Sequence, residues 1–227
     1  RVGGCTTPLP RPARPLKCKL VSIGRICGWA GMTEKGYVLL EDRGVIALSG
    51  ADTRDFLQGV ISNDVDKLGP ARALYAGLLT AQGKFLHDFF IIESADAILL
   101  DCARAGLDDL VRRLTLFRLR ADVSIADRSA DFVVAVMIGE DVARSVGLDG
   151  DTAGAAAPFG DGIALVDPRL AALGARAILG AETAARALEE AGLVAAERTD
   201  YERRRLALGV PDGDRDIIAE KSFLLEC

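Results

Sequence analysis

Residues 84–92 read Lys-Phe-Leu-His-Asp-Phe-Phe-Ile-Ile, and no other run in the chain narrows the choice of fold so far. In an extended strand successive side chains point to opposite faces. Phe85, His87, Phe89 and Ile91 then share one side, and Leu86, Asp88, Phe90 and Ile92 the other. Both sides carry large apolar groups, so the strand must be covered on both faces, as the inner strand of a layered structure is. With 227 residues, 50% of them hydrophobic, the chain has enough apolar surface to build such layers.

Around this strand the pattern predicts a mixed set of elements. Ala73–Leu79 pairs with it across Thr80-Ala-Gln-Gly83, and Ala97–Cys102 adds another strand. Tyr37–Glu41 and Gly44–Ser49 read as a hairpin turning at Asp42-Arg43. Ser49-Gly-Ala-Asp52 matches a capping box opening a helix with Phe56, Leu57, Val60 and Ile61 on one face, closed by Asn63-Asp64. Leu107, Leu110, Val111, Leu114 and Phe117 form a helical stripe. Strands at Asp122–Ala126, Phe132–Ile138, Ile163–Val166 and Ala175–Leu179 follow, with helices at Glu140–Val146, Glu182–Ala191 and Arg198–Leu208. The Gly-, Ala- and Asp-rich stretch 149–162 reads as a loose loop. Strands and helices mix without βαβ regularity, so the fold class is α+β.

Composition sets outer bounds. Residues 1–31 hold six basic residues and no acid, four of the eight prolines, and Trp29; without them the remaining 196 residues carry −11 against −5 for the whole chain. That head reads as a transit peptide, a flexible tail, or sequence upstream of a start at Met32, and the break in composition favours the third. A formal charge of −5 offers no basic stripe for nucleic acid. No apolar run reaches the roughly 20 residues that span a bilayer. The five cysteines form no C-x-x-C pair and no spacing with His87, so no metal site is expected and a reducing cytoplasm fits.

Three groups could carry chemistry. Asp64, near the C-terminal end of a helix, faces the negative pole of the dipole, which would raise its pKa; from spacing alone Asn63-Asp64 is a helix stop. His87 reads as a satisfied strand residue, with no nucleophile context around it. Tyr201 with Arg203, Arg204 and Arg205 could stack on a heterocycle and pair with carboxylates, or could be a solvated helix face.

Ordered blocks of sequence give the chain a family resemblance. Ser49-Gly-Ala-Asp-Thr-Arg-Asp-Phe-Leu-Gln-Gly-Val-Ile-Ser-Asn-Asp-Val65 resembles the G-x-D-x-x-x-F-L-Q-G-x-x-x-N-D-V opening of the YgfZ-type folate-binding proteins, relatives of the glycine-cleavage T-protein. Leu79-Thr-Ala-Gln-Gly-Lys-Phe-Leu-His-Asp-Phe89 resembles their L-T-P-Q-G-K-x-L-x-D-F segment; Arg113–Arg120, Arg205–Pro211 and Phe223–Glu226 match later blocks. The resemblance implies a T-protein-like fold: a folate-binding domain (32–127 and 196–227) interrupted by a ferredoxin-like unit (128–195), with residues 1–31 outside the core and the C-terminal β-barrel absent. It implies tetrahydrofolate as cofactor, Asp64 at the T-protein's catalytic aspartate, and Asn63, Asp64, Tyr201 and Arg205 in the folate site. The second aromatic position of the family's folate pair falls at Arg43. The implied role is a monomeric accessory protein, not itself an enzyme, that supports iron–sulfur cluster assembly or repair in clients such as tRNA-modifying radical proteins, with assembly proteins or clients as partners. The alternative is an aminomethyltransferase. Against transfer, the T-protein's R-x-E-A-G reads Arg205-Leu-Ala-Leu-Gly209 here, with Ala207 at the glutamate; the YgfZ-type signature K-G-C-Y-x-G-Q-E, whose presence would favour the accessory role, is expected beyond Cys227.

Overall fold

The computed structural model describes residues 35–223, so the expectations for residues 1–31 and for the Leu224–Glu226 part of the last block lie outside the described residues. The two-sided strand is where the sequence places it, as β4 (Phe85–Glu93), in an antiparallel sheet of order β3-β4-β5-β2-β6. It pairs with β3 (Leu74–Leu79) and β5 (Ile98–Ala103), and the sheet continues through β2 (Arg43–Ser49) to β6 (Ser124–Asp127). Phe89 and Ile91 pack outward with Leu110 and Leu114 of helix α2 (Leu107–Arg118) and Phe56 and Leu57 of α1 (Thr53–Val60). Phe90 and Ile92 pack the other way, against a second sheet.

That second sheet has the order β11-β1-β7-β10-β9-β8. It comprises β1 (Gly36–Leu40), β7 (Phe132–Ile138), β8 (Ala156–Phe159), β9 (Gly162–Val166), β10 (Ala175–Gly180) and β11 (Val194–Ala195). Its far face is covered by α3 (Val142–Ser145) and α4 (Ala184–Glu190) through Met137, Val142, Ala177 and Leu188. The layers thus run helices, sheet, sheet, helices, and the inner core between the sheets holds Val38, Leu40, Val45, Ala47, Phe90, Leu99, Val134, Val136, Leu165 and Ile178. Neither sheet closes into a barrel among the described residues.

Several local expectations give way to this arrangement. β1 and β2 do not pair as a hairpin: β1 pairs with β7 and β11, and β2 with β5 and β6. Stacked across the gap instead, the two strands bury Val38, Leu40, Val45 and Ala47 together. No capping box forms at α1, because Asp52 Oδ2 accepts the amide of Asp122 at 2.8 Å. α1 stops at Val60, before Asn63-Asp64. The loop expected at 149–162 contains β8, an edge strand, the position in a sheet where a proline such as Pro158 is tolerated.

Candidate functional site

Strand alternation aims a set of charges, unusual in so apolar a setting, into the gap between the sheets. Arg43 of β2, Asp88 and Phe90 of β4, and Arg176 of β10 line one small polar cavity with Arg169 and Tyr201. Tyr201 sits on α5 (Arg198–Ala207), which continues past the second sheet. Asp101 of β5 and Asp167 stand behind the arginines, 1% and 2% exposed. Three guanidinium groups and three carboxylates thus meet here in equal number, and Asp42, Arg198, Asp212 and Asp214 also line the cavity. Balance of that kind is what allows charges to remain buried.

The pairing is specific. Arg43 donates through Nε to Asp101 Oδ1 at 2.5 Å and through Nη2 to the Asp101 carbonyl at 2.8 Å. Arg169 grips Asp167 with two bonds, of 2.8 and 3.0 Å, and donates to the Tyr201 hydroxyl at 3.2 Å. The Tyr75 hydroxyl donates to Asp88 Oδ2 at 2.8 Å. Arg176 is different: its Nη1 lies 3.4 Å from Asp101 Oδ2, but Nε and Nη1 make no hydrogen bond although the residue is 3% exposed. All three guanidinium groups face the Phe90 ring, at 4.0 Å for Arg176, 4.9 Å for Arg169 and 5.7 Å for Arg43. Burial pulls the Arg43 and Arg169 pKa values down, but Asp101 and Asp167 outweigh it and push them up. Burial, helped by Asp88, raises that of Tyr75.

A second cavity, of about 230 Å3, adjoins the first, whose volume is about 20 Å3. The two share Asp88, Ala103 and Asp214. His87 and Cys102 line the larger one. His87 is satisfied, 2.9 Å from Asp109 Oδ2, and burial pushes the Cys102 thiol up to about 12, which leaves it protonated and unreactive. Among the described residues no three His, Cys, Asp or Glu side chains gather to hold a metal. The site can therefore recognise a ligand by stacking and hydrogen bonding, and it presents no activated nucleophile.

The residues singled out from sequence fall in three places. Tyr201 lines the small cavity together with Arg43, so the two positions compared with the family's aromatic pair do meet. Arg205, 4% exposed, points away from it to Glu202 Oε2 at 2.8 Å and Asp216 Oδ2 at 2.6 Å. Asn63 donates to the carbonyl of Tyr75 at 2.9 Å, and Asp64 caps the short 3-10 turn Val65–Lys67 by accepting the amide of Asp66 at 3.2 Å. The Asp66 amide and, at 3.8 Å, the Lys67 ammonium thus face the Asp64 carboxylate, which opens a 3-10 turn rather than closing a helix. Sequence reasoning passed over Asp88, Asp101, Arg169 and Arg176. For Asp88, Asp101 and Arg176 the signal was a charge inside an apolar strand, as in Ile98-Leu-Leu-Asp-Cys and Ala175-Arg-Ala-Ile, whereas Arg169 lies in the bend after β9.

No family model matches the chain. Among solved structures, the crystal structure of glycine cleavage system aminomethyltransferase T from Bartonella henselae superposes with a TM-score of 0.66, at 16% identity, over 82% of this chain and 54% of that one. The chain has the aminomethyltransferase T fold. The α+β class and T-protein-like architecture expected from the sequence are thus those observed. Among curated proteins sharing this similarity, iron-sulfur cluster assembly factor IBA57 of Homo sapiens is 30% identical over 78% of the chain, and its Mycosarcoma maydis homolog 31% over 81%. The chain spans 51% and 45% of their lengths, about half of the relatives it matches. The names of these relatives carry the word mitochondrial, which overturns the expected cytoplasmic location. Cysteine spacing separates oxidising from reducing surroundings, but it cannot separate one reducing compartment from another.

Proposed function

We propose that this chain is the folate-fold half of a mitochondrial accessory factor for iron–sulfur cluster assembly. The observation that carries the reading is the similarity to assembly factors over about four-fifths of the chain, set on an aminomethyltransferase T fold. The acid-free, basic composition of residues 1–31 fits a targeting segment of such a protein. In this reading tetrahydrofolate enters the gap between the sheets. Tyr201 and Phe90 supply flat apolar contact, Arg176 and Arg43 supply donors, and Asp88 supplies an acceptor. Asn63 and Asp64 act from the edge of the site, where the Asn63 amide fixes the backbone of Tyr75. The partners are assembly proteins or cluster enzymes, tRNA-modifying radical proteins among them, met by a monomer.

An accessory role is favoured over aminomethyl transfer by Ala207, which leaves a methyl group where the resemblance implies the transferase glutamate. Isothermal calorimetry of the 227-residue protein with tetrahydrofolate tests the ligand. Binding that weakens in Tyr201→Ala supports the reading, and no binding to the parent protein removes folate from it. An assay for glycine-dependent one-carbon transfer tests the role: turnover would overturn the accessory reading.

A further inference from the structure

The small cavity as closed has room for about one water molecule. Beneath it lie two Arg176 nitrogens without hydrogen-bond partners, in a residue more than nine-tenths buried. What closes it is residues 211–219. Asp212 and Asp214 roof the small cavity, and Gly213, Asp214, Ile217 and Ala219 roof the large one. The backbone is fastened on either side of this segment: Val210 N–H reaches the Arg205 carbonyl at 2.9 Å, and Glu220 N–H the Phe85 carbonyl at 2.8 Å. Between those points, among the described residues, no backbone–backbone hydrogen bond joins 211–219 to either sheet or to α5.

Side chains hold the segment down instead. Arg205 donates to Asp216 at 2.6 Å and to the Val210 carbonyl at 3.2 Å. Arg215 reaches Glu202 at 2.8 Å, and Arg169 reaches the Pro211 carbonyl at 3.4 Å. The segment rests on Asp88, so closely that a Cβ at Gly213 would stand 2.0 Å from Asp88 Oδ1. The two cavities meet at Asp88 and Asp214, so raising the segment joins them into one opening. Ligand pockets commonly measure about 300–1,000 Å3, far more than the closed small cavity offers.

We propose that residues 211–219 are a strap latched by the Arg205–Asp216 and Arg215–Glu202 ion pairs, which must lift before a ligand can place an acceptor oxygen against Arg176. Arg205 is then a positioning residue for the strap and touches no ligand. As regards the ligand, the inference rests on the folate reading; the latch itself does not.

Hydrogen exchange of the whole 227-residue protein tests it. Asp216→Asn should speed exchange across 211–219 by about fivefold, the upper range for a partly exposed ion pair, and leave β4 and β5 unchanged. Glu202→Gln, which removes the Arg215 partner on α5 and leaves it Asp212 within the segment and Asp42 at 3.8 Å, should do the same. Unchanged exchange in both variants, or equal acceleration in β4 and β5, overturns the latch. Tetrahydrofolate should slow exchange over 211–219 in the parent and associate faster with Asp216→Asn. Calorimetric binding without either effect also overturns the strap. Failure of the parent to bind tetrahydrofolate overturns the folate reading, and the strap is then decided by the variants alone.

Discussion

Asp101 is the residue on which the buried charges turn, since its two carboxylate oxygens face Arg43 at 2.5 Å and Arg176 at 3.4 Å. Removing one partner of a buried ion pair costs about 3–5 kcal/mol, because the remaining charge is left uncompensated. Asp101→Asn leaves two guanidinium groups facing a neutral amide. A scanning calorimetry run should show the unfolding midpoint falling by more than about 6 °C, at about 2–4 °C per kcal/mol for a chain of this size. Tyr201→Phe is expected to be mild, since Arg169 keeps both bonds to Asp167. Tyr201→Ala should weaken tetrahydrofolate binding by about 0.5–1.5 kcal/mol beyond the area lost, read by calorimetry. At this scale the sequence was legible only in part. Tyr201 could be picked out because an aromatic beside three arginines is conspicuous, whereas Arg176 could not, because one charge in an apolar strand does not show which partner lies across the gap.

Among the elements, α2 is joined to β4 by a carboxylate as well as by apolar packing. Asp109 accepts from His87, Arg112 and Arg113, and the Arg113 bond, followed by those of His87 and Arg112, holds its pKa well below the usual carboxylate range. A folded-state pKa below the unfolded value of about 3.9 stabilises the fold at every pH above that value, and the contribution fades as pH falls toward the folded pKa. Acid titration followed by circular dichroism should therefore show stability declining below about pH 4. Asp109→Asn should flatten part of that decline, and an unchanged acid limb would remove Asp109 from the account. Most elements were legible because their apolar period is strong: β4, β7 and α2 lie within a residue or two of their expected bounds. The hairpin at β1 and β2 was misread because periodicity shows which faces a strand buries but not which strand lies beside it.

For the whole molecule, a length about half that of the matched relatives bears on activity. In mitochondria depleted of their own assembly factor, the 227-residue chain alone should leave cluster-dependent enzymes inactive. The same chain joined to the remaining half of the human relative should restore them, measured as the activity of an iron–sulfur enzyme of those mitochondria. Rescue by the short chain alone would show that the cavity and strap suffice for the accessory role.

The crossing of the chain from one sheet to the other at Glu41-Asp42 also sets a timetable. β1 is made first, yet its partners are β7, where Tyr37 lies opposite Met137, and β11, where it lies opposite Ala195. Contacts so distant along the chain must wait for loop closure, and they slow folding. On the ribosome the β2–β6 sheet can assemble while β1 still has an open edge. The newborn protein therefore carries an unpaired apolar strand until residues 132–138 have been made, a natural target for a chaperone.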